Sequence, residues 1–308
     1  MADVADARAV ARPAPAKINL DLLVTGRRED GYHDLDTLVT FAGLHDTVTA
    51  RTMPDATVPI GLEITGPFGG ALRDATPDPA DNLVVRAAAG LATIVERNAL
   101  APPPPTHLTL HKALPVASGL GGGSSDAAAA IEACAKLWDL PKGLSGIDHL
   151  LRYLGADVPM CLARRPLRAL DRGDRLQRVA MPALTVVLVN PGIALSTPAV
   201  FAARVGDVST PRERPTGFES VSELLRYLLA ARNDLEAPAR RLAPVIGDVL
   251  VALEQSPGCR LARMSGSGAT CFGVFATVDE AVAAAHMIGE AHREWWVAAT
   301  KTTPGGAT

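Results

Sequence analysis

Polar and apolar residues alternate through AKINLDLLV (16–24), where Ile18, Leu20, Leu22 and Val24 interleave with Lys17, Asn19 and Asp21. A period of two predicts a strand with one buried and one polar face. The first dozen residues show no such pattern and are expected to be loose. TGRREDGYHDLDT (25–37) reads as a polar loop and LVTFAGLHDTVTA (38–50) as the next strand. The period then lengthens, and DNLVVRAAAGLATIVERN (81–98) predicts a helix introduced by a polar turn. APPPP interrupts the chain, and THLTLHKALP (106–115) resumes as a strand. In LSGIDHLLRYLG (144–155), Ile147, Leu150, Leu151 and Leu154 share one helical face, with Gly155 placed to end it.

A second set of elements starts at LTVVLVNPG (184–192), a strand. Helices are expected near 219–231 and 239–255. CRLARMSGSGATCFGVFAT (259–277) predicts two strands joined by a glycine-serine turn, VDEAVAAAHMIGEAHRE (278–294) a helix and WWVAATKT (295–302) a last strand. No segment repeats and none is low in complexity. The expected fold class is α+β, in two domains divided near 175–182 and written here as 1–178 and 179–308.

One stretch fits neither period. LPVASGLGGGSSDAAAAI (114–131) places three consecutive glycines before two serines and a run of alanines. Glycine is entropically costly unless backbone must approach something closely or take a positive φ. Alanine is the strongest helix former, and Ser124, Ser125 and Asp126 offer capping chemistry at its start. Free N–H groups and the positive end of a helix would then converge at the glycines, an arrangement suited to an anion. A Walker A loop needs Lys after its last glycine, where this chain has Ser124. The dinucleotide fingerprint fits Gly119 and Gly121 but meets Ser124 in place of its third glycine. A flexible linker has no reason to abut a helix start.

Charge and composition narrow the class. Net charge is −3, which gives no electrostatic support to a nucleic-acid or acidic-membrane partner. Four scattered cysteines lack metal-ligand spacing and suggest a reducing, cytoplasmic compartment. MADVADARAVARPAPA lacks the apolar core of a signal peptide, and no apolar run reaches membrane-spanning length.

PVASGLGGGSSDAAAA resembles the P-x-x-x-G-L-G-x-x-S-x-A motif of the GHMP small-molecule kinases. PAKINL resembles their N-terminal motif and MSGSGATCF their C-terminal glycine motif. GRREDGYHDLDTL, DNLVVRAA, GADVPMCL and NDLE are similar, in order, to the branch that phosphorylates the 2-hydroxyl of 4-diphosphocytidyl-2-C-methyl-D-erythritol. The matching pieces run from residue 15 to about 275. The resemblance implies a two-domain GHMP kinase fold with its active-site cleft between the domains, ATP and Mg²⁺ as cofactors and a small-molecule substrate.

It also implies roles. Asp157, in GADVP, would be the general base, with Lys17 as its partner; Asp at such a position also organises turns. The nucleotide side would comprise Pro115, Val116, Ala117, Ser118, Gly119, Leu120, Gly121, Gly122, Gly123, Ser124 and Ser125. Asn82 would stand on the adenine side, or serve as a helix cap, and Lys112 would add positive charge near the nucleotide or be a solvated surface lysine. Each serine would reach a phosphate oxygen or Mg²⁺, or act only as a cap. Substrate recognition falls to Asn19, Tyr32 as a stacking face, His33 as an edge reader, Thr197, Phe201 as a second aromatic wall or core residue, Gly266 and Ser267. The glycine motif at 266–268 would close over the site or form an ordinary hairpin turn. Spacing singles out no metal ligands. Ala117 and Ser118 replace glycine found in relatives, DRGDRL (171–176) only loosely follows the family's strand pair, and Asp21 is an unusual charge on the first strand. Two alternatives remain: a GHMP kinase for homoserine or mevalonate, against which GYH and GADVP speak, and a non-catalytic nucleotide sensor, against which Lys17 and Asp157 speak.

Overall fold

The computed structural model describes residues 8–29, 31–53, 56, 58–211 and 213–306. The chain forms two compact units, each drawn from three segments. One holds the chain up to Pro15, His45–Val116 and Gly122–Leu162; the other holds Ala16–Leu44, Ala117–Gly121 and the chain from Ala163 onward. Strands β1 (Ala9–Asn19) and β3 (His33–Thr52) contribute residues to both.

In the first unit, β4 (Ile60–Thr65) runs parallel to β5 (Thr106–His111), which pairs antiparallel with 47–52 of β3. Helix α1 (Gly69–Ala75) and a 3-10 turn (Pro79–Asp81) lead into α2 (Leu83–Arg97). α2 buries Val84, Ala87, Ala88, Leu91, Ile94 and Val95, the three-four spacing of one helical face. It packs against α3 (Gly122–Leu137) and α4 (Ile147–Leu154). The alanines of α3 are therefore more than helix formers: Ala127, Ala128, Ala129, Ala130 and Ala133 expose no surface. Gly155 ends α4 as expected, and the short α5 (Val158–Ala163) follows.

In the second unit, β2 (Leu23–Arg27) pairs with the start of β3, whose Leu35–Val39 pairs with β6 (Leu167–Asp171) and through it β7 (Arg175–Arg178). A separate antiparallel sheet has the order β11 (Trp296–Lys301), β8 (Thr185–Asn190), β10 (Cys271–Phe275), β9 (Cys259–Met264). Helices α9 (Val245–Glu254) and α10 (Val278–Ala291) pack on it. Val187, Val189 and Phe275 join Ile246, Val249, Leu253 and Ile288 in its core. Three further helices, α6 (Thr197–Ala202), α7 (Val221–Leu229) and α8 (Glu236–Leu242), complete the unit. Among the described residues no helix is long and apolar enough to cross a membrane.

Several expectations need correction. Of the dozen residues expected to be loose, 1–7 lie outside the described residues, whereas Ala9–Arg12 belong to β1. The strand at 16–24 is broken between β1 and β2, and its polar face is not solvated: Lys17, Asn19 and Asp21 are all buried. The loop expected at 25–37 (within which Asp30 lies outside the described residues) shrinks to the stretch between Arg27 and His33. Its polar residues enter strands because they are partnered: Asp36 is held by Arg168 at 2.8 Å and by Arg214 at 2.9 Å. The helix expected over 239–255 is two, since Pro244 interrupts it. α1, β4 and α6 carry no sequence signal that marked them in advance.

Candidate active site

In the second unit the front half of the glycine loop is locked onto the connection between β9 and β10. Gly119 has φ +77°, and a Cβ there would stand 2.6 Å from the Ser265 carbonyl oxygen and 2.7 Å from that of Gly268. Only glycine fits. Ser265 Oγ donates to the Gly119 carbonyl and accepts from Asn19 N–H, and Thr270 N–H donates to the Ser118 carbonyl. Residues 265–270 thus pack as the floor of the loop; they are no ordinary two-residue hairpin turn. Lys17 N–H donates to the Leu120 carbonyl at 2.8 Å, and its side-chain stem runs within 3.1–3.5 Å of where a Gly121 Cβ would stand. Gly121 also has positive φ (+64°), as does Ala117 (+50°). Leu120 is core, its side chain fully buried. Gly119→Ala is expected to cost about 1–3 kcal/mol in stability, against a neutral to slightly stabilising Gly289→Ala in α10, where a Cβ meets nothing. Urea unfolding of the two variants checks this.

The residues expected on the substrate side gather in the same unit. His33 stacks on Phe201, ring centroids 4.8 Å apart and planes 22° from parallel. That separation leaves no slot for a base between them, so Phe201, which also packs on the core, has only its remaining surface to offer. Burial first, then Arg27 and Arg204, hold the His33 imidazole below its ordinary range, so it is neutral at pH 7 and can both donate and accept. Tyr32 is 56% exposed, and the Arg172 guanidinium lies 4.1 Å from its ring centre. Thr197 Oγ1 and Ser267 Oγ share a hydrogen bond at 2.7 Å. A Cβ on Gly266 would stand 3.1 Å from Asn19 Oδ1.

The first unit holds the rest of the loop. α3 begins at Gly122, so Ser124 and Ser125 lie inside its first turn, Asp126 follows it, and none of the three is its cap. The buried Ser125 hydroxyl donates to the Pro15 carbonyl at 2.7 Å, a scaffold bond, whereas Ser124 is half-buried. Gly155 brings the turn before Asp157 to Ser124: a Cβ there would be 3.9 Å from Ser124 Oγ. Asp157 itself is half-buried, and its carbonyl accepts the Cys161 N–H, the first turn of α5. Asn82 caps α2, its Oδ1 accepting from Val84 N–H at 2.9 Å, and a Cβ on Gly123 would stand 3.3 Å from the side chain of Leu83 beside it. Pro115 is buried and Val116 half-buried, ahead of the glycines.

The comparisons with known proteins identify the family. The model of the GHMP kinases N terminal domain matches residues 82–165, and that of the GHMP kinases C terminal matches 217–294. A 4-diphosphocytidyl-2-C-methyl-D-erythritol kinase of Paracoccus denitrificans (strain Pd 1222) is 48% identical over 293 residues, 94% of this chain and 96% of its own. The chain belongs to the 4-diphosphocytidyl-2-C-methyl-D-erythritol kinase family, within the GHMP kinases. A crystal structure of a 4-(cytidine 5'-diphospho)-2C-methyl-D-erythritol kinase matches at TM-score 0.74 and 34% identity, over 96% of this chain and 100% of that one. A homoserine kinase from Cytophaga hutchinsonii ATCC 33406 matches at TM-score 0.62, over 99% of this chain and 97% of its own; at 14% identity it shows the fold alone. The chain is thus an ATP-dependent kinase of GHMP fold.

Two charged clusters in this family member escape a reading of its sequence. In the first unit the Lys112 ammonium is buried between Asp46 Oδ2 (2.5 Å) and Asp126 Oδ2 (2.8 Å), and Asp46 Oδ1 also accepts the Ala113 and Leu114 N–H groups. Lys112 therefore carries no spare positive charge for a nucleotide, being engaged by two carboxylates. A Cβ on Gly122 would stand 2.9 Å from Lys112 Nζ, so glycine lets the ammonium reach the start of α3. Burial pushes the Asp126 carboxyl up to about 7 against the pull of Lys112, with Asp46 adding to the rise. In the second unit Asp21, the odd charge of the first strand, is 1% exposed and held by Arg214 at 2.7 Å, the Tyr227 hydroxyl at 3.0 Å and Leu38 N–H at 2.7 Å.

Proposed function

We propose that this kinase transfers the γ-phosphoryl group of ATP to the 2-hydroxyl of 4-diphosphocytidyl-2-C-methyl-D-erythritol, in non-mevalonate isoprenoid precursor biosynthesis. The observation that carries this reading is a set of contacts within one unit: Lys17 along Gly121, Asn19 on the Ser265 that holds Gly119, Thr197 on Ser267, and His33 stacked on Phe201. Hydroxyl and amide groups suit a polyol, while aromatic surface and a neutral imidazole suit a pyrimidine. As sequence modules the proposal keeps 1–178 for the nucleotide-binding part and 179–308 for the C-terminal part; the two matched family models lie on either side of that division. Four free cysteines support a cytoplasmic setting.

The residues present fit ATP: the positive-φ glycines keep main-chain N–H groups bare of side chains, and the start of α3 adds a positive helix end. Mg²⁺, when bound, neutralises charge building on the phosphates. Among the described residues no group of three or more His, Cys, Asp or Glu forms a metal cage. The ion would be held largely through substrate phosphates and water, with the Ser124 hydroxyl as the candidate protein ligand. Asp157 takes the proton of the attacking hydroxyl, whose oxygen bonds to the γ-phosphorus as the bond to the β–γ bridging oxygen breaks and ADP leaves. Lys17 stabilises negative charge developing on the acceptor oxygen.

ADP release is measured with Mg²⁺-ATP and, separately, diphosphocytidyl-methylerythritol, homoserine, mevalonate or no acceptor. Release with the first alone is the expected result. Release with another alcohol points to a different GHMP specificity, and release with none points to a sensor.

A further inference from the structure

Thr37 has no role so far, yet it lies beside Asn19. It is 1% exposed. Its Oγ1 donates to the Asp21 carbonyl at 2.5 Å and accepts from Asn19 Nδ2 at 2.8 Å. A hydroxyl has one proton, and a carbonyl can only accept. With that proton committed to Asp21, the hydroxyl can meet Asn19 only as an acceptor. The Asn19 carboxamide is left with one orientation: NH₂ toward Thr37, Oδ1 away from it. Proton counting fixes this flip independently of how the two ends of the amide were assigned.

The flip turns the carbonyl end away from Thr37. Asn19 is 3% exposed, and its Oδ1 is buried without a hydrogen-bond partner. A Cβ on Gly266 would stand 3.1 Å from Oδ1 and 3.0 Å from the Gly119 carbonyl oxygen, so glycine leaves the space beside Oδ1 free of a side chain. A buried carbonyl left bare is costly, and a proton donor entering that space relieves the cost. The Asp21 main chain, which receives the Thr37 proton, is in turn held by its own carboxylate through Arg214, Tyr227 and Leu38 N–H.

We propose that Thr37 is a positioning residue that locks Asn19 with its carbonyl oxygen facing the acceptor, so that the site requires a substrate O–H donor there. This rests on the reading above that Asn19 faces the acceptor alcohol. A free carboxamide would accept a donor or an acceptor; the locked one selects an alcohol with a free hydroxyl over a deoxy or O-methyl analogue.

A double-mutant cycle tests the lock. Initial rates are measured for wild type, Thr37→Val, Thr37→Ser, Asn19→Ala and the Thr37→Val/Asn19→Ala pair, with Thr37→Ala in reserve should the valine not fold. Thr37→Val should raise the acceptor KM about tenfold with the ATP KM changed less than about twofold, and Thr37→Ser should restore the acceptor KM to within about threefold. In the Asn19→Ala background Thr37→Val should add nothing, because its effect passes through Asn19. Multiplying effects, an equal rise in the ATP KM or no rescue by serine would overturn the proposal. If wild type uses a different alcohol, the cycle is run on that one: coupling there upholds Thr37 while the substrate reading falls. No turnover with any alcohol overturns both.

Discussion

Asp157→Asn is expected to lower kcat by about 10²–10⁴-fold, the range lost when a positioned general base is removed. The isosteric amide cannot take the hydroxyl proton, so the loss should fall on the chemical step and leave the KM values for ATP and acceptor near wild type. Folding should be little changed: Asp157 is half-buried, and what starts α5 is its main-chain carbonyl, which the amide keeps. Lys17→Met should also depress kcat, but it removes a buried side chain that packs along Gly121 and so also perturbs the loop. A rise in the ATP KM should therefore accompany Lys17→Met and be absent from Asp157→Asn. Steady-state rates with both substrates varied, beside unfolding midpoints, separate the two. Near-normal turnover in Asp157→Asn would remove its assignment as base.

Lys112→Met should be the most destabilising single change in the first unit. It leaves Asp46 and Asp126 buried with no cation between them, and stranding buried charge costs about 3–5 kcal/mol. The same cluster fixes a pH trend. Asp126 titrates near 3.8 when unfolded and at about 7 when folded, so between those values the folded state holds more protons than the unfolded one. Its contribution to stability is present at low pH and is lost as pH rises toward about 7. Asp126→Asn should flatten that slope relative to wild type, and should partly offset the damage of Lys112→Met by removing one stranded carboxylate. Urea unfolding of the four proteins at pH 5, 6, 7 and 8 reads both effects.

The glycine loop, its helix and the strand–turn–strand at 259–277 were legible because each is written in consecutive residues. Local chemistry also explains Asn82, where a polar residue before an apolar period does cap α2. What the sequence hid are partners far apart in it. Nothing around Arg214 marks it as the ion-pair partner of Asp21, which lies 193 positions earlier. For the same reason the polar positions at 17, 19 and 21 resembled a solvated strand face, although each is buried. Asp126 looked like a cap because it follows two serines; with α3 beginning at Gly122, it projects instead to Lys112. The three-segment make-up of each unit likewise has no counterpart in composition, since β1 and β3 run through both.

Phosphorus NMR of the product formed from Mg²⁺-ATP and 4-diphosphocytidyl-2-C-methyl-D-erythritol tests the account most directly. The carbon bearing the 2-hydroxyl also carries the methyl group and no hydrogen, so phosphate attached there has no proton on that carbon to couple with. The predicted result is one new phosphomonoester signal, equal in amount to the ADP formed and without that coupling. ADP with no new monoester, or a monoester split by a proton on its own carbon, would contradict it.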